Sequence, residues 1–155
     1  MAQQVREDEK KQKNQEASEG FSDAEKAAMK ERSKEIKREK TLKNKTDGEQ
    51  AVLEKINEME ADDKIIASSL HELIKVNFPQ LGFKTWYGFP AYTKDGKVIT
   101  FFQASKRFDE RYSTLGFSSD AKLDEGVFWP TSYALTEWNG KVAAEVKKLI
   151  KKAVE

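Results

Sequence analysis

Lys84-Thr85-Trp86-Tyr87-Gly88-Phe89-Pro90-Ala91-Tyr92 sets four aromatics, a glycine and a proline within nine residues, and the character of the chain changes across it. Upstream the sequence is charged or helical in period; downstream it reads as strands and then a closing helix. Phe83 to Tyr87 is β-prone, and Gly88-Phe89-Pro90 reads as a bend or bulge, because proline cannot donate to a central ladder. Ala91 to Lys94 leads into Asp95-Gly96, a strong hairpin signal because both residues tolerate the positive φ of a two-residue turn. The returning strand is Lys97 to Ala104, whose apolar run predicts cover on at least one face. Arg111 to Phe117 is a further strand, and Val127 to Tyr133 supplies another, with Pro130 placing it near an edge or at a bulge. The polar stretch Ser118 to Gly126 separates those two. A last helix is expected from a cap near Asn139, with Val142, Val146, Leu149 and Ile150 on one face and lysines near its end, where cations complement the helix dipole.

Working back from the same stretch, Asp62 is placed to cap a helix bearing Ile65, Ile66, Leu70, Leu73 and Ile74, ended by Pro79 and Gly82. Before it, Val52, Leu53, Ile56 and Met59 at helical spacing define a first core helix, with Asp47 and Gln50 as its capping box. Helix, helix, strands, helix is the pattern of an α+β two-layer sandwich, with an antiparallel sheet of about five strands and helices on one face. That domain is expected over residues 48–155.

Residues 21–47 read as a charged helix and linker. Ser22-Asp23-Ala24-Glu25 is a capping box for a helix from about Asp23 to Lys40, and Thr41 to Gly48 reads as the linker. The apolar stripe of that helix is thin and its acids and bases alternate closely, which predicts a solvated helix that docks weakly or sways; the sharper alternative is an arm that binds a partner or nucleic acid. Residues 1–20, almost free of large apolar side chains, read as a tail that cannot offset its own ordering entropy.

Composition removes several classes of function. All three Trp, all four Tyr and eight of the nine Phe lie beyond residue 77, so the apolar material belongs to the C-terminal domain. A net charge of +1 gives no overall field toward nucleic acid or an anionic membrane. With no Cys, thiolate metal sites and thiol nucleophiles are excluded. The opening residues lack the apolar core of a secretory signal and no run suits a membrane span, which predicts a cytoplasmic protein without a membrane partner. The single histidine, His71, lies between Leu70 and Leu73 and reads as a helix-surface or hydrogen-bonded boundary residue. No P-loop or dinucleotide glycine pattern occurs, so a non-enzymatic binding domain is the expectation.

Two groups of residues are candidates for binding. Glu54, Glu58, Glu60, Asp62 and Asp63 gather at the end of the first core helix and the turn after it, and carboxylate oxygens are hard ligands suited to iron. Trp86, Tyr87, Phe89, Pro90, Tyr92 and Trp129 are candidates for a ligand- or protein-binding surface, provided strand alternation turns some of them away from the core. Lys84, Lys94, Lys97, Lys106, Arg107 and Arg111 lie near those rings, without a nucleic-acid-binding motif to accompany them.

Taken together, Lys84 to Tyr92, Asp95-Gly96-Lys97-Val98, Phe101-Phe102-Gln103, Tyr112 to Phe117 and Trp129-Pro130-Thr131-Ser132-Tyr133-Ala134-Leu135 resemble the YdhG-like family of small bacterial domains over about residues 48–153. The stretch Phe21 to Lys40 is similar to the leader helix of some members. The resemblance implies a two-layer fold related to the frataxin-like and YjbR-like architectures. It also implies an intracellular iron chaperone serving iron–sulfur or haem assembly proteins, with Glu54, Glu58, Asp62 and Asp63 as the iron-binding positions.

Overall fold

The computed structural model describes residues 21–39 and 45–155. The expected tail, residues 1–20, and residues 41–44 of the expected linker lie outside them. Among the described residues four helices and five strands follow one another: α1 (Asp23–Glu39), α2 (Lys45–Asn57), α3 (Ala61–Asn77), β1 (Gly82–Trp86), β2 (Phe89–Lys94), β3 (Lys97–Gln103), β4 (Ser113–Phe117), β5 (Ser132–Leu135) and α4 (Gly140–Val154), with a 3-10 turn at Ser105–Phe108. The sheet is an antiparallel meander whose spatial order is the order of the sequence.

One face of the sheet packs on α2, α3 and α4. Val52 and Ile56 of α2, Leu70 and Ile74 of α3, and Val146 and Ile150 of α4 meet Tyr92, Phe102 and Leu115 in a single core. This is the expected α+β sandwich. The register turns Lys84, Trp86, Ala91, Phe101 and Gly116 to the opposite face. There the Phe101 ring lies flat on Gly116, where a Cβ would sit 2.3 Å from a ring carbon. Trp86 packs beside it with ring centroids 5.1 Å apart.

Several local expectations are corrected. The proline-containing stretch is not a bend: Tyr87 and Gly88, at φ 52 and 79, form a two-residue hairpin turn, and Pro90 lies inside β2 opposite Thr85. In such a hairpin the closing pair, Trp86 and Phe89, exchanges the hydrogen bonds and the next pair does not, so the missing N–H of Pro90 costs the β1 ladder nothing. Helix α2 starts at Lys45, which puts Asp47 inside its first turn instead of at its cap. Gly48, assigned to the linker, is buried in that helix; a Cβ there would lie 2.2 Å from the Phe83 carbonyl oxygen, so its lack of a side chain lets α2 approach β1. The N-cap of α3 is Glu60, not Asp62, and its side chain makes no capping bond. Leu53 and Ile65, expected in the core, are exposed. The strand expected at Val127–Tyr133 forms only from Ser132, because the chain turns at Gly126 (φ 62) and the Phe128 N–H bonds back to the Glu125 carbonyl.

The Asp95-Gly96 turn and the Asn139 cap form as expected: both turn residues have positive φ, and the Asn139 side chain accepts from Val142 N at 2.9 Å. Ser22 Oγ likewise accepts from Glu25 N at 3.1 Å at the start of α1. Among the described residues no helix is long and apolar enough to cross a membrane.

Candidate functional site

The Tyr87–Gly88 turn is the meeting point of three elements. Because both residues have positive φ, their amides point outward from the hairpin tip without a ladder partner. The Glu35 carboxylate of α1, only 5% exposed, accepts from both: Tyr87 N at 2.7 Å, and Gly88 N through its other oxygen. Arg32 flanks that carboxylate at 3.6 Å and stands over the Tyr87 ring. Two further contacts tie α1 to α2, Lys55 to Glu31 at 3.2 Å and Arg38 to Glu54 at 3.4 Å.

Beneath α1 the turn opens into a recess of about 430 Å³. Ala27 and Glu31 of α1 form one side, Lys55, Glu58, Met59 and Glu60 another, and Gly88, Phe89, Lys106 and Arg107 the floor. Arg107 comes from the 3-10 turn after β3. Its guanidinium carbon lies 4.8 Å from the Phe89 ring centroid and 5.9 Å from that of Phe108, which meets Phe89 edge-on. Such stacking holds a planar cation in one orientation, and Arg suits it better than Lys. The guanidinium also rests on the bare Cα of Gly88, where a Cβ would come within 2.0 Å of Nη1.

No carboxylate lies within ion-pairing distance of Arg107 among the described residues. Burial lowers its pKa from the ordinary arginine value, while the more distant Glu31, Glu35 and Glu58 pull the other way. Of the acids around it, all but Glu60 are already engaged. Glu31 and Glu58 share Lys55, Glu35 holds the hairpin amides, and Asp63 caps the 3-10 turn. Glu60 is exposed at the rim.

The two groups of expected site residues fare differently. Of the carboxylates, Glu54 and Glu58 are exposed and salt-bridged, and Asp62 is exposed in the first turn of α3. Asp63 is 3% exposed and accepts from Ser105 N, Ser105 Oγ and Lys106 N, which commits it to holding the strap that carries Arg107. Among the described residues no three acidic or histidine side chains gather so as to hold a metal ion. Of the aromatic set, Tyr92 is fully buried in the core, so it is no ligand contact. Pro90 is fully buried too, and Trp129 packs against the core far along the chain. Phe89 does line the recess, beside the turn that Tyr87 forms. Trp86 stands partly exposed on the outer face.

Sequence reasoning placed Arg107 only in a loose basic set, and nothing in the sequence marked Glu35. Each acquires its role from a partner more than fifteen residues away.

His71 belongs to a separate, closed network. It is 2% exposed; Nε2 meets Glu49 Oε1 at 3.0 Å and Nδ1 meets the Tyr92 hydroxyl at 3.0 Å. Since a carboxylate can only accept, Nε2 carries the proton toward Glu49. Lys75 completes the chain at 2.9 Å from the same oxygen. Burial raises the Tyr92 pKa far above its ordinary value, so the phenol stays protonated.

No family model, curated protein or solved structure matches the chain.

Proposed function

We propose that the domain is a non-enzymatic binding module, and that the recess beside the Tyr87–Gly88 turn takes a small anionic molecule on Arg107. The observation that carries this reading is a half-buried guanidinium, fixed between two rings and a glycine, that faces a recess of about 430 Å³ with no carboxylate in pairing range among the described residues. A planar fork of donors so oriented suits a carboxylate or phosphate, and Lys106, which also lines the recess, adds a positive charge beside the lining carboxylates Glu31, Glu58, Glu60 and Asp63. Met59, Phe89 and Ala27 offer an apolar wall to the rest of the ligand.

The test is calorimetric titration with inorganic phosphate and a panel of small mono- and dicarboxylates. Saturable binding is expected, lost in Arg107→Ala and weakened about tenfold or more in Arg107→Lys, whose point charge cannot reproduce the fork. Binding that survives Arg107→Ala, or no saturable binding to any anion, overturns the reading. A ferrous-iron arm distinguishes the iron-chaperone alternative: saturable uptake lost in Glu58→Ala and Asp62→Ala would move the site to the carboxylates.

A further inference from the structure

The loop from β4 to β5 carries an apolar projection. Val127 is fully exposed and Phe128 is 91% exposed, yet the loop that presents them is braced. Ala121 and Leu123 are buried, Lys122 N donates to the Ala153 carbonyl, Trp129 packs on the core, and Glu125 pairs with Lys152 at 2.7 Å. Single exposed apolar residues are ordinary; two adjacent ones on a fixed loop mark a surface that meets something.

On the same edge of the molecule an apolar gap of about 220 Å³ opens between β5 and α4, walled by Leu115, Tyr133, Leu135, Val142 and Leu149. A cavity of about 150 Å³ accommodates benzene, so this one has room for a phenyl ring. Strand β5 is the last in the sheet, and among the described residues its outer edge has no partner strand.

We infer that the chain self-associates across the β5 edge, with Phe128 of each copy seated in the β5–α4 gap of the other. Antiparallel apposition of two β5 strands brings the Ser132 end of one beside the Leu135 end of the other. Phe128 lies four residues before Ser132, so continuing that register it stands opposite residue 139 of the partner, at the start of α4, where Val142 walls the mouth of the gap. The exchange is reciprocal, and such an interface closes at two copies. Charge agrees with this pairing. Asp124 and Glu125 sit beside the projection, while Lys141 lines the gap together with Glu145, and Lys148 stands exposed farther along α4. Asp124, Lys141 and Lys148 make no ion pair among the described residues. Two phenylalanines at roughly 150–250 Å² each, with the valines and the facing walls, come to about 1,000 Å², near the lower limit for a specific interface. The expected complex is a weak, concentration-dependent dimer.

Sedimentation velocity of the full chain across the micromolar to millimolar range tests it. The wild type is expected to pass from monomer to dimer. Phe128→Asp should stay monomeric at every concentration with an unchanged Tm, since the side chain touches little of its own fold. Asp124→Lys should weaken the dimer by about tenfold, and Lys141→Glu in the same chain should restore it, a rescue that a merely sticky patch would not show. A wild type that remains monomeric, or a Phe128→Asp dimer of unaltered affinity, overturns the proposal. So does a chain that is monomeric in solution but sediments with phosphatidylserine vesicles through Phe128, which would assign the projection to a lipid surface.

Discussion

Gly88 answers to three demands at once. Its φ of 79 suits a residue without Cβ, its N–H serves Glu35, and its Cα is the shelf for Arg107. Gly96 has the same φ but open space around it, so the pair separates backbone strain from packing. Gly96→Ala is expected to cost about 1 kcal/mol and Gly88→Ala about 2–3 kcal/mol in urea denaturation, and only the second should abolish anion binding, because its Cβ occupies the guanidinium's place. Equal losses in the two variants would show that Arg107 yields without consequence. At His71 the lesson concerns protons. The Lys75 ammonium, and after it His71, holds the Glu49 pKa below the ordinary 4.5. A carboxyl depressed in the folded state stabilises the fold fully above its ordinary pKa, and the contribution drains away as pH falls through 4.5 and then through the folded value. Thermal unfolding followed against pH should therefore decline less steeply in that acid window for Glu49→Gln than for wild type. Parallel profiles would show that Glu49 is not the group responsible.

Helix α1 is held by polar contacts more than by burial. Ala28 is its one buried apolar residue, while Met29 and Ile36 stand 40% and 44% exposed. Glu35 is then the principal anchor, since a buried carboxylate on two backbone donors is a charge-assisted contact. Glu35→Ala should release α1, seen as lost amide-exchange protection over residues 23–39 with protection in α2 to α4 retained, and a fall in stability of about 1–3 kcal/mol. Protection that persists over α1 would place its anchor in the ion pairs to α2. The thin apolar stripe made the scant apolar burial of this helix legible in the sequence, but not its destination. Asp95-Gly96 was legible because both residues suit a two-residue turn on chemistry alone. Tyr87-Gly88 was not, because Tyr87 has no preference for positive φ and Pro90 three residues on reads as a break. Only the pairing register shows that its missing N–H falls where β1 asks for none. The same limit hid the site: periodicity reports which face of an element is apolar, whereas Glu35, Arg107 and Asp63 act through contacts between elements.

Across the molecule, the sandwich follows from the order of periodicities, since helical spacing gives way to strand character at Gly82 and returns at Asn139. The core is built from Val52 to Val154, and α1 adds nothing to it. The meander that joins its strands carries one further consequence, in time. During synthesis each strand emerges to find its neighbour already made, so the sheet needs no distant segment to assemble, and local pairings of this kind form quickly. Helix α4 is the exception, for it packs on α3 from the far end of the domain. Until α4 has been made, part of the apolar face that carries Phe102 and Leu115 has no cover, and that interval is when a nascent chain is most exposed to sticking to its neighbours.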